Sequence, residues 1–304
     1  MNTEITTIDT NNFNAMAKVM GIASEGVQKK KASTLARLRI NHAPILGADK
    51  ILVKAGTYKL ELPEGSELGF GTFFTDKVEI RPFMQRFMYK RFVKGTDKIP
   101  NRYIKTVMAD NLNMDLKDND GGFNCGKPAG YIQDFKALPQ DTQELIKQIK
   151  RVRVMLGTVT LTNSKDEQGN KKDLPKDIPF IWEIENRDAF KDVGTVFAKL
   201  AKMKRLPVQH MLEGTTIERK LPNGNSFFLP TISMDTTKTL ELSQGEQDRF
   251  ADFIEWVKGY NEYIINAWTE RAIPDDDDED ELSDEEIVEK GRAILDDIIE
   301  KDDD

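Results

Sequence analysis

The chain has 304 residues, 52 of them acidic and 44 basic, for a formal net charge of −8. A single cysteine, Cys125, excludes an internal disulfide. The polar start "MNTEITTIDTNNF" does not match a secretory signal, and no stretch approaches the ~20 apolar residues of a membrane span, so a soluble, cytoplasmic protein is expected.

The charge is unevenly divided. Between Asp275 and Asp304 stand 17 acids and 3 bases, which leaves 41 bases against 35 acids and a net of +6 on the rest. A basic body with an acidic end is an asymmetry that suggests dealings with nucleic acid. Residues 1–35 read as a flexible arm. From about 36 to 120 the period is that of strands, with "ADKILVKAGTYKLEL" breaking at Gly56 and "GFGTFFTDKVEI" carrying glycines where bends sit. Then comes "RPFMQRFMYKRFV", residues 81 to 93, with four aromatic, two methionine and four cationic side chains and no acid. As a strand it places Phe83, Gln85, Phe87, Tyr89 and Arg91 on one face and Met84, Arg86, Met88, Lys90 and Phe92 on the other. Neither face is purely apolar. Two readings compete: a core strand with a charged rim, or a platform where bases stack while cations hold phosphates.

Further on, Asp141 reads as the N-cap of a helix with Leu145, Ile146 and Ile149 on one side. "RVRVMLGTVTLT" alternates Arg151 and Arg153 against Val152 and Val154. Asn186 caps a helix with Phe190, Val193, Phe197 and Leu200 on its apolar stripe. "TTIERKLPNGNSFFLPTI" reads as a hairpin turning at Asn223-Gly224. A closing helix over 244–270 follows a capping-box pair, Ser243 and Glu246, with Phe250, Phe253, Ile254, Val257, Ile264 and Trp268 on one face. The whole is mainly β (α+β). Short strands with Gly-marked bends favour an oligonucleotide-binding (OB)-like small β-barrel with inserted and C-terminal helices over residues 36–273.

The acidic segment, 274–304, has too little apolar content to bury itself and reads as a disordered tail. Within it Ile287, Val288, Ile294, Leu295, Ile298 and Ile299 recur on one helical side, interrupted by Gly291, in the manner of a peptide that folds on a partner. "GGFNCGKP" has the phosphate-loop spacing at Gly121, Gly126 and Lys127. Pro128 replaces the metal-ligating hydroxyl, and neither a preceding strand nor a following helix is evident, so nucleotide hydrolysis is disfavoured and the segment reads as a glycine-rich loop that lets backbone approach a ligand or another strand. One cysteine with His42 and His210 does not make a usual zinc site, and no metal, cofactor or catalytic group is expected.

The site expected from position is a single-strand groove. Phe83, Phe87, Tyr89 and Phe92 would stack on bases, and Arg81, Arg86, Lys90, Arg91, Arg151, Arg153, Lys202 and Arg205 would hold phosphates. Asp275, Asp276, Asp277 and Asp278, with Ile287, Ile294, Leu295 and Ile298, would engage protein partners and compete for the groove. In this organisation the chain resembles phage-encoded single-stranded DNA-binding proteins with one OB barrel and an acidic tail. The block from "GGFNCGKPAGYIQDF" to "IKRVRVMLGTVTL" is also similar to proteins of marine tailed phages. The resemblance implies a non-enzymatic role in replication, recombination and repair. The body would coat single-stranded DNA in the host cytoplasm, and the tail would recruit replication or recombination proteins; a homodimer is compatible with it. That family's tail often ends in an aromatic, whereas this chain ends in three aspartates. The alternative classes are a phage structural or assembly protein without DNA binding and, more remotely, an acidic DNA mimic.

Overall fold

The computed structural model describes residues 35–272 except 67, 97–99, 129 and 222–223. The N-terminal arm, Asn223 of the hairpin turn, and the acidic segment with its candidate partner residues Asp275, Asp276, Asp277, Asp278, Ile287, Ile294, Leu295 and Ile298 lie outside the described residues.

Nine strands of the described residues form one mixed sheet. In chain order they are β1 (Ala36–Ile40), β4 (Tyr58–Leu62), β5 (Gly71–Thr75), β6 (Lys77–Val93), β7 (Arg102–Lys105), β8 (Ile149–Thr162), β9 (Ile178–Ile184), β10 (Leu212–Lys220) and β11 (Ser226–Met234). β2 (Ile45–Leu46) and β3 (Ile51–Val53) make a separate small pair. The order across the sheet is β11-β10-β6-β8-β9-β1-β4-β5, with β7 also on β6. β1 and β9 run parallel, and the other pairs are antiparallel. Three helices complete the described chain: α1 (Gln140–Gln148), α2 (Arg187–Lys202) and α3 (Gln244–Ala272).

The local causes are legible. In β4, Tyr58, Leu60 and Leu62 are buried while Lys59 and Glu61 turn outward, the period of a half-buried strand. β8 is buried almost continuously from Val152 to Val159, because both of its faces are covered. Asn186 caps α2 as expected, its side-chain oxygen accepting from the N–H groups of Asp188 at 2.9 Å and Ala189 at 3.2 Å. At the start of α3 the Glu246 carboxylate accepts from the Ser243 N–H at 2.7 Å.

The body is thus mainly β with inserted and C-terminal helices. The barrel expectation needs revision in its particulars. No ladder among the described residues joins β11 to β5, so by backbone pairing the sheet is open. Its central strands, 17 residues in β6 and 14 in β8, are long rather than short. The sheet nevertheless curls: the Tyr58 hydroxyl donates to the Thr215 carbonyl at 3.1 Å, although β4 and β10 stand five places apart in the order. One apolar cluster inside this curl draws on β1, β4, β6, β8, β9, β10, β11 and α2. A second, with Met84, Met88, Val152, Val154 and Leu156, lies on the opposite face under Phe253 and Val257 of α3.

β6 serves both clusters by way of one extra residue. Its register with β8 passes from Pro82↔Gly157 to Met84↔Leu156, which leaves Phe83 unpaired as a bulge. Before the bulge Val78 and Ile80 face the first cluster; after it Met84 and Met88 face the second. Proline cannot donate to a ladder, which suits it to a bulge. Gly157 opposite it leaves room for the approach, since a Cβ there would sit 3.1 Å from Pro82 Cα and closer still to the Arg81 carbonyl oxygen.

Two helix stripes differ from expectation. Phe250 and Ile254 of α3 are exposed, and the packed stripe is Phe253, Val257 and Ile264, flanked by half-buried Trp256, Tyr260 and Trp268. α1 begins at Gln140 after Pro139, so Asp141 lies inside it, and Ile149 already belongs to β8.

Candidate nucleic-acid interface

The stretch 81–93 makes up all of β6 beyond its first four residues and is sandwiched on both sides, which is why neither of its faces is purely apolar. The two predicted faces hold from Met84 onward, whereas Phe83, as the bulge residue, crosses to the α3 side and meets Phe253 at 5.4 Å between ring centroids. Phe83 and Tyr89 are core residues and present no free ring to a base; the Tyr89 hydroxyl donates to the Leu112 carbonyl. Phe87 is half-buried, covered by Phe190 at 6.0 Å and by the Arg153 guanidinium at 4.9 Å. Of the four stacking candidates, only Phe92 is exposed, where it leans on exposed Tyr103 at 5.1 Å.

The cations sort likewise. Arg81 is buried, donating to the Val208 and Glu241 carbonyls at 2.8 Å and paired with Glu246, so it anchors the start of α3 rather than a phosphate. Lys90 is buried between Glu183, at 2.8 Å, and Glu185. Burial works against its charge, but the two carboxylates outweigh it and raise the lysine above its ordinary value. Arg86 pairs with Asp110 at 2.8 Å. Arg91 turns toward the glycine loop near Gly126, with its Nε buried. Arg205 donates to the Thr236 carbonyl. Lys202 is exposed at the far end of α2, about 22 Å along the helix axis from Arg187 by its rise per residue. Arg151 is exposed and Arg153 buried, both on the α2 side of β8.

Rings and cations do converge in a groove of about 1210 Å³. Its lining includes Arg37 and Arg39 from β1, Lys90 from β6, Tyr103 and Lys105 from β7, Glu183 and Glu185 from β9, Phe227 and Phe228 from the β10–β11 hairpin, and Trp256 and Tyr260 from α3. Trp256 and Tyr260 are one helical turn apart and stack at 6.0 Å with 13° between planes. α3 is locked in place here: Asn261 exchanges two hydrogen bonds with the Met108 backbone, and the Tyr260 hydroxyl donates to the Thr106 carbonyl. The floor is largely self-neutralised, with Lys105 on Glu183 at 3.3 Å and Lys150 on Glu185 at 2.9 Å beside the Lys90 pairs. Arg39 reaches Glu61 at 3.7 Å, whereas exposed Arg37 has no carboxylate partner among the described residues. Sequence reasoning missed Arg37, Arg39, Tyr103, Lys105, Trp256 and Tyr260. The alternation in "ARLRI" and the Trp–Tyr spacing of four in α3 are the signals that pointed to them.

A second cleft, of about 550 Å³, opens beside it. Arg151, Arg153, Arg187, Asp188, Phe190, Lys191 and Gly194 are among its lining residues. Glu185, Asn186 and Ala189 line the groove while Arg187, Asp188 and Phe190 line the cleft, so the lining residues of the two interleave around the start of α2.

The glycine loop holds an anion of its own. The buried Asp118 carboxylate accepts from the N–H groups of Asp120 and Gly122 at 3.0 Å and of Cys125 at 2.9 Å, occupying the cradle that a phosphate takes in a true phosphate loop. Gly121 and Gly126 adopt left-handed backbone there, with φ of +86° and +95°. Among the described residues no helix is long and apolar enough to cross a membrane, and no His, Cys, Asp or Glu cluster is placed to hold a metal. Compared with known proteins, the chain matches no family model, no curated protein and no solved structure.

Proposed function

We propose that this chain is a non-enzymatic single-stranded DNA-binding protein whose strand lies in the groove between β1, β7, the β10–β11 hairpin and α3. The observation that carries this reading is the gathering of Tyr103, Trp256, Phe227 and Phe228 with the exposed Arg37 and Arg39 along one open groove. Rings of this kind offer each base a face worth roughly 1–3 kcal/mol, and the arginines supply charge for the backbone. The sequence asymmetry supports the same reading, since a net +6 body carries a net −14 terminal run that recruits replication or recombination proteins and competes with DNA for basic surface.

The test is a titration of fluorescent oligo-dT with the full chain and with a variant ending at Pro274, across a salt series. Both proteins should bind, with affinity falling steeply with salt and the shorter chain binding more tightly. Tyr103→Ala with Trp256→Ala should then weaken binding by ten-fold or more, on the order of the stacking energy of one base. Absence of binding by either chain at low salt would end this reading and favour the assembly class.

A further inference from the structure

We propose that the cleft at the start of α2 is a phosphate site that takes a phosphodiester of a single strand as it leaves the groove; this rests on the reading above. Arg151, Arg153, Arg187 and Lys191 line the cleft against a single acid, Asp188. Among the described residues none of the four cations forms an ion pair, in contrast to the lysines of the groove floor.

Arg153 is the most telling of them. Its guanidinium is buried with no carboxylate, an arrangement that is costly unless a counter-charge arrives. It is held rigidly: Nε donates to the Phe190 carbonyl at 3.2 Å, Nη1 to Gln85 Oε1 at 2.5 Å, and the plane lies among Phe87, Phe190 and Phe197. Its third nitrogen packs on α2 where a Cβ on Gly194 would stand only 2.5 Å away, so the helix surface is shaped to admit it. Burial, and next to it the Arg151 charge, lower its affinity for its proton. Its buried charge behind three exposed cations, Arg151, Arg187 and Lys191, suits a tetrahedral oxyanion. Phe190, half-buried and under Arg151 at 5.4 Å, offers an apolar wall to the attached sugar. The residues that line the groove and those that line the cleft interleave over positions 185–190, so a strand that leaves the groove round the start of α2 would run toward the cleft.

The experiment uses the full chain and a triple variant, Arg151→Ala, Arg187→Ala and Lys191→Ala. All three residues are exposed, so the fold is retained, and buried Arg153 stays in place. Binding to oligo-dT of about 16 and about 4 nucleotides, the span that one small domain covers, is followed over a salt series. For the longer oligomer the salt slope should fall by about 0.7 for each phosphate no longer neutralised and affinity should drop about ten-fold, with the short oligomer little affected. An unchanged slope for the longer oligomer, with wild-type binding intact, overturns the site and leaves the groove reading standing. Failure of the wild-type chain to bind either oligomer removes both. Inorganic phosphate, titrated at constant ionic strength, distinguishes the source of the anion: displacement of the long oligomer's extra affinity at submillimolar phosphate would assign the cleft to the free ion and overturn the strand assignment.

Discussion

Replacing Gly157 with alanine tests the bulge that divides β6 between two cores. The added carbon would fall on backbone, 3.1 Å from Pro82 Cα and nearer to the Arg81 carbonyl oxygen, and neither atom can swing away as a side-chain tip can. Reaching an ordinary van der Waals separation requires a shift on the order of 1 Å. That shift would be transmitted to Arg81, which ties β6 to Val208, Glu241 and Glu246, and to Phe83 on Phe253. Overpacking against fixed backbone typically costs about 1–3 kcal/mol, and with these anchors the expected loss is about 3 kcal/mol. For a chain of this size that lowers Tm by roughly 6–12 °C. Urea unfolding followed by fluorescence, with Trp182 buried on neighbouring β9, measures it, and the denaturant slope should stay unchanged. Gly259→Ala in α3, where a Cβ meets nothing within 4 Å, is the control and should gain up to about 1 kcal/mol. A loss below about 1 kcal/mol for Gly157→Ala at equal slope would show that the bulge yields and would refute the reasoning.

Asp118→Asn should cost about 2–4 kcal/mol, because an amide sets a donor against one of the three N–H groups the carboxylate now accepts; hydrogen exchange at Gly122 and Cys125 should accelerate, and unchanged protection would contradict the cradle. The Lys90 network sets a pH dependence at both ends. Burial opposes ionisation of Glu183 and Glu185, but the neighbouring lysines prevail and hold both below the ordinary 4.5. Their stabilisation is therefore complete above pH 4.5 and lost as pH falls through the lowered values; that of Lys90, raised above 10.5, is complete below 10.5 and lost at higher pH. Acid unfolding of Glu183→Gln should show a shallower pH slope than the wild type, and equal slopes would count against the network. Burial, and then the Asp118 charge, push the Cys125 thiol from 9.0 up to about 12. Iodoacetamide at pH 8 should thus label it about 1000-fold more slowly in the folded chain than in urea, and comparable rates would place it outside the core.

Much of the local structure can be read from residue order. The β4 alternation, the opposition of Arg151 to Val152, and the Asn186 cap of α2 all follow from interactions a few residues apart. The candidate site is less legible, because its decisive partners are distant in sequence. Nothing within "RPFMQRFMYKRFV" reveals that Lys90 meets carboxylates 93 and 95 positions later, or that Arg81 meets a carbonyl 160 positions on. A cluster of cations without a local acid thus looks free when several are already matched. The reverse holds for Arg187 and Lys191, which sit beside Asp188 in sequence yet form no ion pair among the described residues.

The single unpaired residue in β6 works as a phase shifter. Ahead of it, even-numbered positions look into the curl of the sheet; beyond it, from Met84 to Phe92, they look toward α3. Were Phe83 drawn into strict alternation, the same downstream letters would exchange sides, sending Lys90 away from Glu183 and Phe87 away from Phe190. The position of the groove's charged floor relative to the basic cleft is thus fixed by a count of residues as much as by their chemistry. Removing Phe83 itself would keep that count, since a regular ladder from Pro82 to Met84 leaves every later letter on its present side. Removing one residue further along would turn over all that follow, a larger change than the replacement of several.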